Sequence, residues 1–259
     1  MKTIGIVVCG SAGRMGSAIL RLASENPAFR IEGAVEQKGH PAVGTVIAGA
    51  TVTDSLESVS SKTAVIMDFT IPVATLVHIE TAQKNGNPIV IGTTGFTPGE
   101  TDRLKKISAK IPVLLAPNMS FGVNALFDII ANAARLLRGY EIEITETHHH
   151  NKKDAPSGTA LKLANVICET LGKDPEKTLV YGRKGITGAR NPGEIGVHAL
   201  RMGDVVGEHS VYFGAHNEVI EISHRCGNRD ALAAGALEAA AFLNGQKPGW
   251  YSMKDVLLK

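Results

Sequence analysis

Two successive rhythms in the chain predict an α/β protein: a doubly wound parallel sheet, then an α+β region with a mostly antiparallel sheet. Three observations carry this expectation. Short apolar runs alternate with helix-period segments as far as Leu115. Beyond Asn118 the pattern changes to long helices and alternating strands. A glycine-rich turn also sits at the first strand–helix junction, where open α/β sheets bind ligands.

Ile4–Cys9 is a continuous apolar run ending at Gly10, the pattern of a strand buried on both faces. Arg14–Glu25 follows with Met15, Ala18, Ile19 and Leu22 at helical spacing. Ile31–Val35 and Ala64–Met67 read as strands, and Val73–Lys84 as a helix stopped by Asn85-Gly86. Strand Pro88–Ile91, helix Glu100–Lys110 and strand Pro112–Leu115 complete the repeated βα units. A helix is then predicted over Phe121–Leu137 and an alternating strand over Glu141–Thr147. The polar loop His148–Ser157 leads into a helix that runs to Leu171. Ile195–Met202, Glu208–Phe213 and Val219–His224 are extended runs, with Gly203-Asp204 and His216-Asn217 as turns between antiparallel neighbours. An alanine-rich helix over Asp230–Asn244 is expected to return to the first domain. The predicted domains are residues 1–119 with a return over 229–259, and residues 120–228.

The 259 residues suffice for two modest domains with hydrophobic cores. Apolar residues make up 44%, charged residues 20%, and the net charge is +2. No basic stripe points to nucleic acid, and no apolar run reaches the roughly 18 residues of a membrane span. The N-terminus enters a strand directly, without the pattern of a secretory signal. Cys9, Cys168 and Cys226 are too widely spaced for a disulfide framework or thiolate zinc site. All three read as small buried hydrophobes in a reducing compartment, and a cytoplasmic location is expected.

Gly10-Ser11-Ala12-Gly13-Arg14-Met15-Gly16 spans the first strand-to-helix turn. Glycines suit a tight turn that a pyrophosphate must approach, and the helix N-terminus offers N–H groups and a dipole for the anion. Glu36 ends the second strand about 20 residues later, where an acid accepts ribose hydroxyls. The spacing is G-x-x-G-x-x-G instead of the usual G-x-G-x-x-G, but strand, helix and acid together favour a Rossmann-type dinucleotide site. Gly92-Thr93-Thr94-Gly95 and Ala116-Pro117-Asn118-Met119 lie at the ends of later strands and extend the candidate cofactor surface.

Glu146 to Ala160 is the densest chemical cluster, and three readings compete for it. Three consecutive histidines, His148–His150, suggest a metal. Side chains on extended backbone alternate faces, however, and no second ligand cluster is evident, so no metal is expected. A solvated polar loop is the plainest reading. An anion site is the third: Ser157-Gly158-Thr159 precedes a helix, and its N–H groups and hydroxyl suit a carboxylate. His149 adds a donor, and Lys152, protonated at neutral pH like lysines generally, can deliver a proton.

The stretch His148-His149 … Lys152, Asp154-Ala155-Pro156-Ser157-Gly158-Thr159-Ala160 resembles the signature of the dihydrodipicolinate reductase family. The likeness continues through Gly13–Gly16, Asp68-Phe69-Thr70 with Pro72, Gly92–Gly95, Asn118–Ser120, Gly122–Asn124 and Arg201–His209. The resemblance implies reduction of 4-hydroxy-tetrahydrodipicolinate, a cyclic imine dicarboxylate, by NADH and/or NADPH in diaminopimelate and lysine biosynthesis. It implies His148 as proton donor or acceptor, Lys152 as proton donor, and His149, Ser157, Gly158 and Thr159 as substrate contacts. Cofactor contacts then fall on Gly10, Ser11, Ala12, Gly13, Arg14, Met15, Glu36, Gln37, Gly92, Thr93, Thr94, Ala116, Pro117, Asn118 and Met119. It also implies a homotetramer and hinges near Asn118–Phe121 and Gly227–Arg229.

One departure stands out. Gln37 and Lys38 follow Glu36, where family members that bind NADPH well often carry arginine for the 2′-phosphate. Gln37 cannot neutralise a phosphate but Lys38 could reach it, so use of both dinucleotides is expected, with NADH at least as good. A semialdehyde or homoserine dehydrogenase is a rival class. The phosphorylating semialdehyde enzymes need an activated cysteine, and none is evident. An NAD-binding redox regulator is the non-enzymatic rival, and it would not need His148, Lys152 and the Ser-Gly-Thr turn together.

Overall fold

In a computed structural model, which describes residues 3–59, 61 and 63–259, the chain forms two units, Met1–Phe121 with Arg229–Lys259 and Gly122–Asn228. The first segment runs β1 (Ile4–Cys9), α1 (Arg14–Ser24), β2 (Phe29–Val35), β3 (Val46–Ile47), β4 (Ala50–Thr53), α2 (Leu56–Val59), β5 (Val65–Asp68), α3 (Pro72–Asn85), β6 (Ile89–Ile91), α4 (Pro98–Ser108) and β7 (Pro112–Leu115). Helix α5 (Phe121–Leu136) carries the chain into the second unit, followed by β8 (Glu141–His148), α6 (Gly158–Leu171), α7 (Pro175–Thr178), β9 (Leu179–Tyr181), β10 (Ile195–Arg201), β11 (Gly207–Ala215) and β12 (Glu218–Cys226). The return comprises α8 (Asp230–Leu243), β13 (Gly249–Tyr251) and α9 (Met253–Leu257).

The first unit holds an eight-stranded sheet in the order β13-β7-β6-β5-β1-β2-β4-β3, parallel except for the β3/β4 edge pair. Alternation along β1 explains why its run is apolar throughout. Ile6 and Val8 join a core with Ile19 and Leu20 of α1 and Ala236 and Ala240 of α8. Val7 and Cys9 join the opposite core with Ile79 of α3 and Leu104 and Ile107 of α4. Helix ends follow local chemistry. Thr97 and Glu100 form a capping box at α4, and Gly86 ends α3 in the left-handed conformation. The alanine-rich α8 packs into the first unit.

The second unit has a five-stranded sheet in the order β12-β11-β8-β10-β9. Its core places Ile142, Ile144, Val197, Val211 and Phe213 against Leu126 and Ile130 of α5 and Leu163 and Ile167 of α6. The His216-Asn217 turn joins β11 and β12 as a two-residue hairpin, both residues having positive φ, 41° and 68°. The Gly203-Asp204 turn does not join antiparallel neighbours. Strand β8 lies between β10 and β11, parallel to the first and antiparallel to the second. The connection from β8 to β10 contains α6, and a helical crossover returns the chain parallel. The sheet is therefore mixed.

The short strands β3, β4, β9 and β13, of two to four residues, have no counterpart in the sequence reading. Cys9 and Cys168 are buried, but Cys226 is partly exposed and its Sγ donates to the Asn228 carbonyl at 3.0 Å. It is not the buried hydrophobe expected. Among the described residues, no helix is long and apolar enough to cross a membrane.

Gly235 in α8 lies against backbone, and a Cβ there would sit 1.9 Å from the Met119 carbonyl oxygen. Gly→Ala within a helix ordinarily stabilises by about 1 kcal/mol. Here Gly235→Ala is expected to destabilise by about 1–3 kcal/mol through overpacking. Denaturant unfolding measures this, and a variant as stable as the parent would contradict the packing.

Candidate active site

The inward face of β8 changes character along its length. Ile142 and Ile144 fill the core, whereas the next two inward positions are Glu146 and His148, both buried. Neighbouring strands do the same at that edge. On β10 the buried Val197 gives way to an exposed Ala199 and then Arg201, and on β11 His209 precedes the buried Val211 and Phe213. Register places Arg201 beside His148 and His209 beside Glu146. A polar cluster thus grows directly out of the hydrophobic core.

Glu146 is its anchor. Its carboxylate accepts from Arg201 at 2.9 Å on each oxygen, from His148 Nδ1 at 2.5 Å and from the Ser157 amide at 3.0 Å. Burial pushes the Glu146 carboxyl upward, but these donors outweigh it and hold the group below its ordinary value. Arg201 also donates to the Asp154 carbonyl at 2.6 Å, tying the loop to the strand end. Burial, with Lys152 and Arg201 nearby, lowers His148 despite the pull of Glu146. With its Nδ1–H donating to Glu146, neutral His148 presents Nε2 as an acceptor. That nitrogen lies over Gly207, where an added Cβ would approach it to 3.0 Å.

Ser157 caps α6, its Oγ accepting from the Ala160 amide at 3.2 Å and contacting His209 Nε2 at 3.1 Å. Lys152 Nζ donates to both Asp154 oxygens at 2.8 and 2.9 Å, which lowers the Asp154 carboxyl. The Lys152 side chain is 20% exposed. His149 and Thr159 are half-buried and Gly158 is exposed, with open space where a Cβ would stand among the described residues beyond its own helix turn. Of the three consecutive histidines only His148 belongs to the strand; the His150 ring is hydrogen-bonded to the Gly203 carbonyl at 2.8 Å.

In the first unit the glycine turn forms a cradle. Gly10 has φ +77°, and a Cβ on it would meet the Phe69 carbonyl oxygen at 2.6 Å. A Cβ on Gly16 would lie 2.1 Å from the Gly10 carbonyl oxygen. Among the described residues, helix α1 has no side-chain cap, and Ser11 Oγ is buried with no hydrogen-bond partner. A cavity of about 460 Å³ is lined by Gly10, Ala12, Gly13, Glu36 and Gln37, together with Phe69 and other residues. Glu36 accepts from the Ala12 amide at 2.8 Å. An uncapped helix start, a cradle closed to side chains and an orphaned hydroxyl fit a dinucleotide's pyrophosphate.

The remaining predicted cofactor positions lie outside this cavity. Arg14 is exposed, and Met15 and Met119 pack into the core. Gly92, Thr93 and Thr94 follow β6, and Ala116, Pro117 and Asn118 follow β7, at the same carboxyl edge of the sheet. Thr93 is buried in a network on Asp68. The Asp68 carboxylate accepts from Thr70, Thr75 and Thr93 hydroxyls and from His78 Nδ1 at 2.7 Å.

Cys9, Asp68 and His78 are the one metal-capable group among the described residues. Burial, then Asp68 and Glu36, push the Cys9 thiol well up, and the Asp68 oxygens are already engaged by four donors, so this group suits a hydrogen-bonded network better than a cation.

Glu146, Arg201, Gly207, His209 and the Asp68 network were not singled out as site residues from the sequence. The signal available for Glu146 and Arg201 was a charge at an inward position of an alternating strand.

Burial, helped by His148, His224 and Lys152 and opposed by Glu146, lowers His209 to about 4. Folding therefore favours its neutral form. The stability this contributes is present above pH about 6.5 and is lost as pH falls toward about 4, on the order of 3 kcal/mol. His209→Gln is expected to flatten the decline of Tm over that window in thermal unfolding; an unchanged slope would contradict the assignment.

Residues 4–119 match the family description "Dihydrodipicolinate reductase, N-terminus", and residues 122–257 match "Dihydrodipicolinate reductase, C-terminus". The 4-hydroxy-tetrahydrodipicolinate reductase of Anaeromyxobacter dehalogenans (strain 2CP-1 / ATCC BAA-258) is 45% identical over 261 residues, covering 97% of each chain. Its counterpart from Geotalea uraniireducens (strain Rf4) is 44% identical over 263 residues, covering 98% of each. The fold is shared with dipicolinate-bound dihydrodipicolinate reductase from Paenisporosarcina sp. TG-14, at a TM-score of 0.79 and 23% identity, covering 98% of this chain and 99% of that one. The chain belongs to the dihydrodipicolinate reductase family.

Proposed function

We propose that the chain reduces 4-hydroxy-tetrahydrodipicolinate to tetrahydrodipicolinate in diaminopimelate and lysine biosynthesis, the first unit binding NADH or NADPH and the second the dicarboxylate. The observation that carries this reading is the Glu146 anchor, which holds His148, Arg201 and the Ser157 turn in one buried cluster.

The reduction adds a hydride and a proton to a conjugated cyclic imine, and the ring hydroxyl leaves as water. The reduced dinucleotide, when bound, supplies the hydride. Gly10, Ala12 and Gly13 would hold its pyrophosphate, and Glu36, which here accepts from the Ala12 amide, would take the ribose hydroxyls. The loops over Gly92–Thr94 and Ala116–Met119 complete that surface.

Lys152 Nζ delivers the proton, and Asp154 holds the ammonium until substrate displaces it. His148, neutral, accepts through Nε2 and so serves as base or hydrogen-bond acceptor. Gly158, Thr159 and His149 hold the substrate carboxylates at the start of α6. Glu146 and Arg201 act by positioning. The soluble composition supports a cytoplasmic location, and Leu200, Val219 and Ile220, exposed on β10 and β12, support assembly of the second-unit sheets into a homotetramer.

Dinucleotide oxidation, with substrate generated from pyruvate and aspartate semialdehyde by the preceding synthase, tests the reading. Parent activity is expected, with kcat lowered about 100-fold or more in Lys152→Ala. Undiminished activity in that variant would remove Lys152 as the acid. In the same assay kcat/KM with NADH is expected to equal or exceed that with NADPH, and a strong NADPH preference would refute dual use.

A further inference from the structure

The ribose end of the first-unit cavity holds a second acid. Strands β2 and β4 are parallel neighbours with Val35 opposite Thr53, and the Glu36 amide donates to the Thr53 carbonyl at 2.9 Å. The register carries on by one step, so Glu36 and Asp54 leave adjacent strands side by side, and both line the cavity. Gln37 and His40 line it as well, His40 Nδ1 accepting from the Ala42 amide at 3.1 Å. No lysine or arginine is among the described residues lining it, and Lys38 is not part of that wall.

We propose that Asp54 is a specificity-determining residue that favours a free adenosine 2′-hydroxyl over a 2′-phosphate. The inference rests on the dinucleotide site described above and adds to it the group that discriminates between the two cofactors. A ribose hydroxyl can donate to either carboxylate. A 2′-phosphate cannot donate in the same way, and it brings negative charge to a wall with two acids and no fixed cation. Gln37 leaves that charge unneutralised, and Asp54 opposes it. Asp54 is exposed at the strand end, so its replacement leaves the core untouched.

Equilibrium binding separates this inference from the function it rests on. Kd for NADH and for NADPH is measured by fluorescence of the bound reduced nicotinamide, at low and high salt, for the parent, Asp54→Asn and Asp54→Ser. The parent is expected to bind NADH more tightly. Both variants are expected to lower the Kd(NADPH)/Kd(NADH) ratio about fivefold or more, with a smaller salt dependence of that ratio than in the parent. If both dinucleotides bind and the ratio is unchanged in both variants, Asp54 is not the discriminating group, while the cofactor site stands. If the parent binds neither, the cofactor site and this inference both fall.

Discussion

A carboxylate sealed from water at a strand end is unstable unless donors surround it, and Glu146 is surrounded. The guanidinium of Arg201 takes both oxygens, and His148 and the Ser157 amide occupy the remaining directions. Each partner is thereby held by a demand the carboxylate makes. His148 has its Nδ1 proton fixed, α6 has its first turn fixed, and β10 is tied to β8 beyond their backbone ladder. Removing one donor would leave a buried charge partly unsatisfied, which typically costs 3–5 kcal/mol when an ion-pair partner is lost. The chemistry of the second unit is therefore built on the same buried face that stabilises it.

The first unit repeats the logic with a different acid. Asp68 ends β5 fully buried and collects three threonine hydroxyls and His78. One of those hydroxyls belongs to Thr93, in the loop after β6, and another to Thr70, beside the Phe69 carbonyl that closes on Gly10. Two loops of the carboxyl edge are thus pinned to one group. In both units a buried acid at a strand terminus orders the loops beside it, while small residues keep the open surface clear.

Much of this was legible in the residues. The apolar run Ile4–Cys9 and Gly10 to Gly16 pointed to the strand and the cradle, with Glu36 as the proposed ribose acid, because short-range geometry governs a strand–turn–helix unit. The loop from His148 to Thr159 stood out as the densest chemical cluster for a similar reason, its groups being near in sequence, while its chemistry came from the family resemblance. Arg201 was not placed in that cluster, since it reaches Glu146 only through a parallel crossover of strands. His209 was obscured likewise, because β11 pairs with β8 and not with the strand that precedes it.

By itself the sequence determined the alternation of elements, the glycine turn and the family signature, all properties of local spacing. The tertiary structure alone decided that β8 lies between β10 and β11, that Glu146 gathers Arg201 and His148, and that Asp54 stands beside Glu36. Those facts depend on strand order and register, which join residues distant along the chain. No periodicity records them, because the crossover that sets strand order spans a helix and the register follows from how the faces pack.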